Sequence, residues 1–515
     1  MAVPPRSTTW FRLAQLGGPA ARPRVRLFYP LPAVKGKIAL VMASALCAVL
    51  VGSGCGSPSP AHSDPAPRPN FVFVLTDDLA WNLVSHMPHV VGLEKAGVTF
   101  THYYVVDSLC CPSRSAIFTG EYPHDDGVFT NTGSDGGYNA YNAHGDEAKS
   151  FAVALQKSGY RTALMGKYLN GYGPADPPAP GWNVWDGAGN GYAEFNYSLN
   201  QNGTQQYYGD APDDYLTDVV SAKATSFIGS AASKHKPFML EVATFAPHQP
   251  YTPAPRYANA AANVQYPKTA AFNRLPANPP TWLAQHPSLT TEQQARITNA
   301  YRERVEADLS VDDMIGQIER ELRAAGVARN TYLVFSSDNG YHMGEYRLEP
   351  GKQTAFDTDI RVPLIVTGPH VPAGRTLTQL ASNIDLAPTF EALAGLKIRK
   401  TIDGHSLAAL WHGQRPPDWR QAILIEHHGP DDVAGDPDAQ TNAQADPPSY
   451  EAVRTENALF VLYDNGYEEY YDTAKDPLEL DNIAAQGVPF DLRQALVALE
   501  NCHNGVACWA AAHLH

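Results

Sequence analysis

The chain has 515 residues, 44% of them hydrophobic and 18% charged, with a formal net charge of −15. That composition excludes an intrinsically disordered chain and a polytopic membrane protein, and the length suits one large α/β domain with an appendage. Charge is unevenly placed: residues 1–55 hold seven Arg or Lys and no Asp or Glu, and the rest carries 31 basic against 53 acidic groups. So acidic a body excludes nucleic acid as the main partner, fits a cation-binding enzyme, and still leaves room for a local basic pocket.

Lys35 and Lys37 precede the apolar run Ile38–Val51, followed by Gly52-Ser53-Gly54-Cys55. This pattern over residues 1–55 predicts an export signal, because a membrane span needs about 20 apolar residues. A Cys directly after small residues resembles a bacterial lipobox with Cys55 as the lipidated residue. Gly52 stands where Leu is usual, and plain secretion or an uncleaved anchor are the other readings. The expectation is an exported protein, a bacterial cell-surface lipoprotein or a secreted one, touching a membrane only through a lipid anchor. Residues 56–69, rich in Pro, Ser and Ala, predict an extended tether.

Five apolar runs then predict strands: Asn70–Thr76, Arg161–Lys167, Pro237–Phe245, Thr331–Ser337 and Pro363–Thr367. Unbroken runs suggest strands covered on both faces, as in a parallel sheet. Ala148–Ser158 and Thr290–Ala325 predict helices between them. Alternation of this kind means α/β architecture, with ligands at the carboxyl ends of strands. Those ends carry Asp77-Asp78, Lys167, Ala246-Pro247-His248 and Asp338-Asn339-Gly340.

From about Asp403 the pattern changes. Runs at 421–426, 452–454, 458–463 and 469–473, with a helix near 491–499, predict a smaller α+β domain over 403–515 containing antiparallel strands. Gly429–Pro448 is acidic and Pro-rich, which predicts a surface loop. Cys502 and Cys508 lie in a Cys-poor tail; in an exported protein they predict a local disulfide, against the alternative of two free thiols. Cys110 and Cys111 are adjacent, and adjacent cysteines rarely bridge each other.

Cys110-Cys111-Pro112-Ser113-Arg114, followed by Thr119-Gly120, resembles the sulfatase signature C-x-P-S-R with its downstream T-G. The resemblance runs from about Asn70 to Ala484. It includes Tyr122-Pro123-His124, Gly166-Lys167, Gly351-Lys352, Ile360–Pro363, Asp385–Thr389 and Asp476–Leu480. The double Cys, Gly-Lys-Tyr-Leu-Asn and Asp-Asn-Gly-Tyr-His look closest to the N-acetylglucosamine-6-sulfatase branch of these alkaline-phosphatase-superfamily enzymes. The resemblance implies a large, mixed, mostly parallel sheet sandwiched by helices as the catalytic domain (70–402).

It also implies that Cys110 is oxidised to formylglycine by a formylglycine-generating enzyme. The aldehyde hydrate offers two hydroxyls on one carbon: one attacks sulfur and displaces the alcohol. The other loses its proton, and collapse to the aldehyde expels sulfate. Asp77, Asp78, Asp338 and Asn339, with residue 110, would hold Ca2+ (Mg2+ fits less well), since all offer hard oxygen donors. Arg114 would orient residue 110, Lys167 and Lys352 would pin sulfate oxygens, His248 would contact sulfate or protonate the leaving oxygen, and His342 would face the sugar. A sulfate monoester is thus the expected substrate, with 6-O-sulfated N-acetylglucosamine as first candidate.

Two departures stand out. Leu169 and Asn170 occupy the positions where many sulfatases carry a His two residues after the first active-site Lys, which leaves the base unassigned. Asp125-Asp126 replace the common Asn-His, which would alter charge near the pocket. Competing readings are a phosphoesterase of the same superfamily and an inactive glycan-binding surface lipoprotein. Against the first, Asn339 stands where many phosphodiesterases place a zinc-binding His, and a Ser or Thr nucleophile would be expected. The second is weakened because no acidic ligand is lost.

Overall fold

The computed structural model describes residues 67–429 and 446–514. The export segment with Cys55, nearly all of the tether, and most of the 429–448 loop fall outside the described residues. Among those described, no helix is long and apolar enough to cross a membrane.

The main sheet has ten strands. In chain order they are β1 (Asn70–Thr76), β2 (Val98–Phe100), β3 (Arg161–Lys167), β4 (Val184–Ala188), β5 (Tyr197–Gln201), β6 (Thr204–Tyr208), β7 (Phe238–Ala243), β8 (Thr331–Ser337), β9 (Leu364–Thr367) and β10 (Arg375–Leu377). Their spatial order is β10-β2-β9-β8-β1-β7-β3-β4-β5-β6. The central five, β8-β1-β7-β3-β4, run parallel. The run at 363–367, read from sequence as one more parallel strand, instead pairs antiparallel with β8 and with β2. Periodicity cannot give strand direction; the path of the chain between β8 and β9 sets it.

The apolar runs are explained by burial on two faces. Phe71, Phe73 and Leu75 enter one core, and Val72 and Val74 enter the other, as the two-residue period of a strand requires. On the first face lie helix α1 (Cys110–Thr119) and helix α4 (Leu386–Leu393); on the second lie α2 (Leu216–Ala232) and α3 (Thr291–Ala324). The predicted 34-residue helix α3 starts on a capping box, with Thr290 Oγ1 accepting from Gln293 N at 3.2 Å and Gln293 Oε1 accepting from Thr290 N at 2.8 Å. The helix predicted at 148–158 is a short 3-10 turn followed by a helix from Phe151 to Lys157, because Ser150 caps a fresh start.

A separate four-stranded antiparallel sheet follows: β11 (Ala422–His427), β12 (Tyr450–Thr455), β13 (Ala458–Tyr463) and β14 (Glu468–Asp472). Ile423 and Ile425 pack on the first core; Leu424, Val453 and Phe460 form a third core with helix α5 (Phe490–Glu500) and the tail that contains α6 (Gly505–Ala511). Leu407, Leu410 and Trp411 lie in the first core, so residues just after 403 still pack with the main sheet. The predicted Cys502–Cys508 disulfide is present.

Candidate active site

Four adjacent central strands deliver polar residues to one place. β8 ends in Asp338-Asn339, β1 in Asp77-Asp78, β7 leads to His248, and β3 ends in Lys167. Every one of these side chains is buried. Asp78 adopts left-handed backbone (φ 65°), rare for a non-glycine residue, and is braced there. Its N–H donates to Asp338 Oδ1 at 3.1 Å, and its carbonyl accepts from the buried Arg304 of α3.

Cys110 opens α1, a helix buried along its whole length. The thiol donates to Asp77 Oδ1 at 3.4 Å, and Lys352 Nζ donates to its sulfur at 2.6 Å. Cys111 points elsewhere: it sits in the first apolar core, and burial pushes its thiol up to about 12. One residue of helix rotation therefore separates a polar, pocket-facing Cys from an inert one. The helix is fixed from several sides. Ser113 Oγ donates to the Asp338 carbonyl, Asn383 Nδ2 donates to Ser113 Oγ at 3.0 Å, and Ser115 Oγ donates to Asp126 Oδ2 at 2.5 Å. Asp126, expected near the pocket, is thus a brace for α1. Gly120 ends the helix at φ 75° with its would-be Cβ 3.1 Å from Ile402, so the T-G of the motif is a packing requirement. Gly166 is another: a Cβ there would lie 1.9 Å from the Ala243 carbonyl oxygen on β7.

Charges interlock around this core. Arg114 Nε donates to Asp338 Oδ2 at 2.7 Å, and its Nη2 lies 3.9 Å from Asp77 Oδ1. Lys167 Nζ donates to Asp77 Oδ2 at 2.6 Å, and Lys352 Nζ to Asp78 Oδ1 at 2.7 Å. His248 Nε2 faces Asp78 Oδ2 at 3.6 Å, while its Nδ1 is 2.7 Å from the Gln249 carbonyl and so carries the proton. Burial pushes the Asp77 carboxyl up to about 6 although Lys167 opposes it. For Asp338 burial acts the same way, but Arg114, Lys167 and Lys352 outweigh it and hold the carboxyl below its usual range. Burial alone would lower Lys167, but Asp77 and Cys110 keep it firmly cationic.

The donor set fits a hard divalent cation. Asp78 Oδ2 and Asn339 Oδ1 are buried without hydrogen-bond partners, and Asn339 Nδ2 is used up on Asp78 Oδ1 and the Gly340 carbonyl, both at 2.8 Å. An amide oxygen and a carboxylate oxygen on two hydrogen-bonded side chains are thereby left as unsatisfied hard donors. Ligand atoms of Asp77, Asp78, Cys110 and His248 all lie within 4.8 Å of one another. Three carboxylates face three permanent cations, so a divalent ion would leave the pocket net positive and offset the burial cost on Asp77.

His342 pairs with a carboxylate of its own. It is buried, its Nδ1 lies 2.9 Å from Asp359 Oδ2, and its backbone pairs with Gly351 in both directions at 2.9 and 3.1 Å. Burial would lower this imidazole, yet Asp359 outweighs it and raises it. Leu169, two residues after Lys167, is buried in the first core, so that position turns away from the pocket here. Sequence reasoning missed Tyr192, from the loop after β4. Its ring lies 5.1 Å from Lys167 Nζ and 4.6 Å from the His248 ring, and its hydroxyl accepts from Asn170 Nδ2 at 3.4 Å. It also missed Arg304 and Asn383, which carry no local motif.

Buried cations, an oxygen-rich ligand set and a helix-borne Cys at the carboxyl ends of a parallel sheet define a hydrolase of anionic esters on an alkaline-phosphatase-like fold. The chain belongs to the sulfatase family, and its activity is that of a sulfuric ester hydrolase: the Sulfatase family model matches residues 69–396. A second model, N-sulphoglucosamine sulphohydrolase, C-terminal, matches residues 344–501. The N-acetylglucosamine-6-sulfatase of Homo sapiens is 34% identical over 484 residues, covering 86% of this chain and 86% of that protein. An extracellular sulfatase SULF-1 homolog of Drosophila melanogaster is 34% identical over 372 residues, covering 70% of this chain and 33% of that protein. A solved structure in complex with its substrate D-glucosamine-2-N,6-O-disulfate shares the fold with TM-score 0.69 at 22% identity, covering 84% of this chain and 97% of the other.

Proposed function

We propose that the protein is an exported sulfatase that hydrolyses sulfate monoesters of sugars, with 6-O-sulfated N-acetylglucosamine as first substrate, through formylglycine at position 110 and one Ca2+. The observation that carries this is the placement of Cys110 Sγ between Lys352 and Asp77, within 4.8 Å of ligand atoms of Asp77, Asp78 and His248. The sugar and the export are supported by the names of the human and fly relatives.

Formylglycine supplies a hydrate whose hydroxyl attacks sulfur and whose collapse releases sulfate. Asp77, Asp78, Asp338 and Asn339 would hold the cation, which supplies Lewis acidity and orientation. Arg114 Nη2, buried and without a hydrogen-bond partner, is a donor reserved for residue 110 or a sulfate oxygen. Lys167 and Lys352 exchange contacts with Asp77, Asp78 and residue 110 for contacts with sulfate. His248, with its Nδ1 proton fixed on the Gln249 carbonyl, donates from Nε2 only as imidazolium, the form that protonates a leaving alkoxide. Tyr192 packs over Lys167 and His248 and excludes water from both.

The test is a peptide mass spectrum spanning Ala96 to Arg114, on protein made in cells that supply a formylglycine-generating enzyme. Conversion of Cys110 is expected; an unmodified thiol, with a control sulfatase converted in the same cells, would overturn the reading. Dialysis against EDTA is expected to remove at least about 90% of sulfate-ester turnover, with recovery on adding Ca2+. Full activity after chelation would count against the cation.

Tyr192→Phe keeps the ring and is expected to hold kcat/KM within about threefold, whereas Tyr192→Ala is expected to lower it about 10- to 100-fold and weaken inhibition by inorganic sulfate. Equal losses in both variants would show that the hydroxyl, not the ring, matters.

A further inference from the structure

Arg304, from the middle of α3, is fully buried and reaches three of the loops that carry the site. Its Nη2 donates to the carbonyl of Asp78, in the turn after β1. Its guanidinium lies over the Tyr341 ring, 4.2 Å from the centroid, in the turn after β8 that carries Asn339. The same group lies 5.6 Å from the centroid of the Tyr251 ring, in the loop after β7 that carries His248. The two rings meet hydroxyl to hydroxyl at 2.9 Å, and Tyr251 N donates to the His248 carbonyl at 3.0 Å.

Stability does not account for a guanidinium at this position. Its Nε and Nη1 have no hydrogen-bond partner, and neither has either carboxylate oxygen of Asp308, one turn further along the helix. Among the described residues Arg304 is hydrogen-bonded to no carboxylate. A buried cation without such a partner carries a desolvation cost that two ring faces and one carbonyl offset only in part. An apolar side chain of similar length would fill the same space at less cost. The charge is explained by what it holds.

What it holds is strained. Asp78 and Tyr251 both stand in left-handed backbone, at φ 65° and 61°, a conformation that non-glycine residues keep only where their surroundings impose it. Released from Arg304, the Asp78 peptide would relax toward an ordinary φ. That rotation would carry its carboxylate away from the ligand atoms of Asp77 and His248, now within 4.8 Å.

We infer that Arg304 is a positioning residue for the cation: from α3 it locks the Asp78 turn, and with Tyr341 and Tyr251 the two neighbouring loops, in the geometry that binds Ca2+. The inference rests on the cation reading above, and it predicts a sign. By charge alone, a neutral residue in place of a buried guanidinium would tighten Ca2+ binding, because like charges repel. By positioning, the same change weakens it, as loss of groups that orient metal ligands does by roughly 10- to 100-fold.

The test is calorimetric titration of Ca2+ into the EDTA-stripped mature enzyme and three variants: Arg304→Met, Arg304→Lys and, as a control, Met314→Ala. Met314 lies on the same helix in the second core, so its truncation lowers stability through packing alone. Arg304→Met is expected to bind Ca2+ at least about tenfold more weakly than the parent. Arg304→Lys, which keeps the charge and a donor but no flat face, should fall between the two. Met314→Ala should stay within about twofold of the parent although its melting temperature drops. Affinity in Arg304→Met equal to or above the parent's would overturn the inference. An equal loss in Met314→Ala would overturn it as well, by making the effect one of general stability. Should Arg304→Met not fold, Arg304→Gln is judged by the same outcomes. A parent enzyme that binds no Ca2+ in this titration would instead strike the cation reading, and the inference with it.

Discussion

Cys110→Ser is expected to fold, to react once, and to stop. Serine is nearly isosteric with cysteine, and the Asp77 carboxylate that accepts from Cys110 can accept from a hydroxyl as well. Stability should therefore stay within about 1 kcal/mol of the parent. A serine hydroxyl can take up a sulfo group, but its carbon carries no second hydroxyl to expel sulfate. Steady-state sulfate release should fall by at least about 10^3-fold, and intact-protein mass spectrometry should show one added sulfo group per chain. Cys110→Ala should lose turnover to the same extent without the adduct. Sustained sulfate release by either variant would remove residue 110 from the chemistry.

Asp338→Ala is expected to cost both activity and stability. Its carboxylate is the close partner of the Arg114 guanidinium, and it also accepts from the backbone N–H groups of Asp78 and Asn339 at 3.1 and 2.8 Å. Truncation strands a buried cation and two buried donors, a loss of roughly 3–5 kcal/mol for the pair. Because Asp338 is held below its usual range, its contribution is present above the ordinary carboxylate pKa and is lost as pH falls through the depressed folded value. Urea midpoints at neutral pH should show the full loss, and the gap to the parent should narrow on acidification. Excess Ca2+ should not restore turnover, since the proposed ligand and the brace of the Asp78 turn are both gone. Adding Arg114→Met to Asp338→Ala should recover part of the stability and none of the activity, a coupling that a double-mutant cycle measures. A variant as stable as the parent would mean that Arg114 finds another partner.

The residues that announce chemistry were legible because they stand at the ends of apolar runs. Asp77-Asp78, Lys167, His248 and Asp338-Asn339 each follow a strand, and a parallel sheet gathers carboxyl ends on one side. The Cys-x-Pro-Ser-Arg run specified residue 110 without any geometry. Composition and spacing likewise foretold the small antiparallel sheet, the long helix from Thr291 and the closing disulfide. Residues whose work depends on a partner far along the chain were not legible. Arg304 reaches Asp78 from the middle of α3, Asn383 braces Ser113 across 270 residues, and Tyr192 covers Lys167 from a loop with no motif. The pairing of His342 with Asp359, 17 residues further on, was equally invisible in the sequence.

The sequence determined the strand ends and the donor types that stand at them, since these follow from local periodicity and side-chain chemistry, and its motif singled out Cys110. The tertiary structure alone decided that β9 runs antiparallel, that Asp126 supports α1, and that Leu169 lies in the core. It also decided which groups share a dry pocket, because burial and long-range pairing set each side chain's direction and charge.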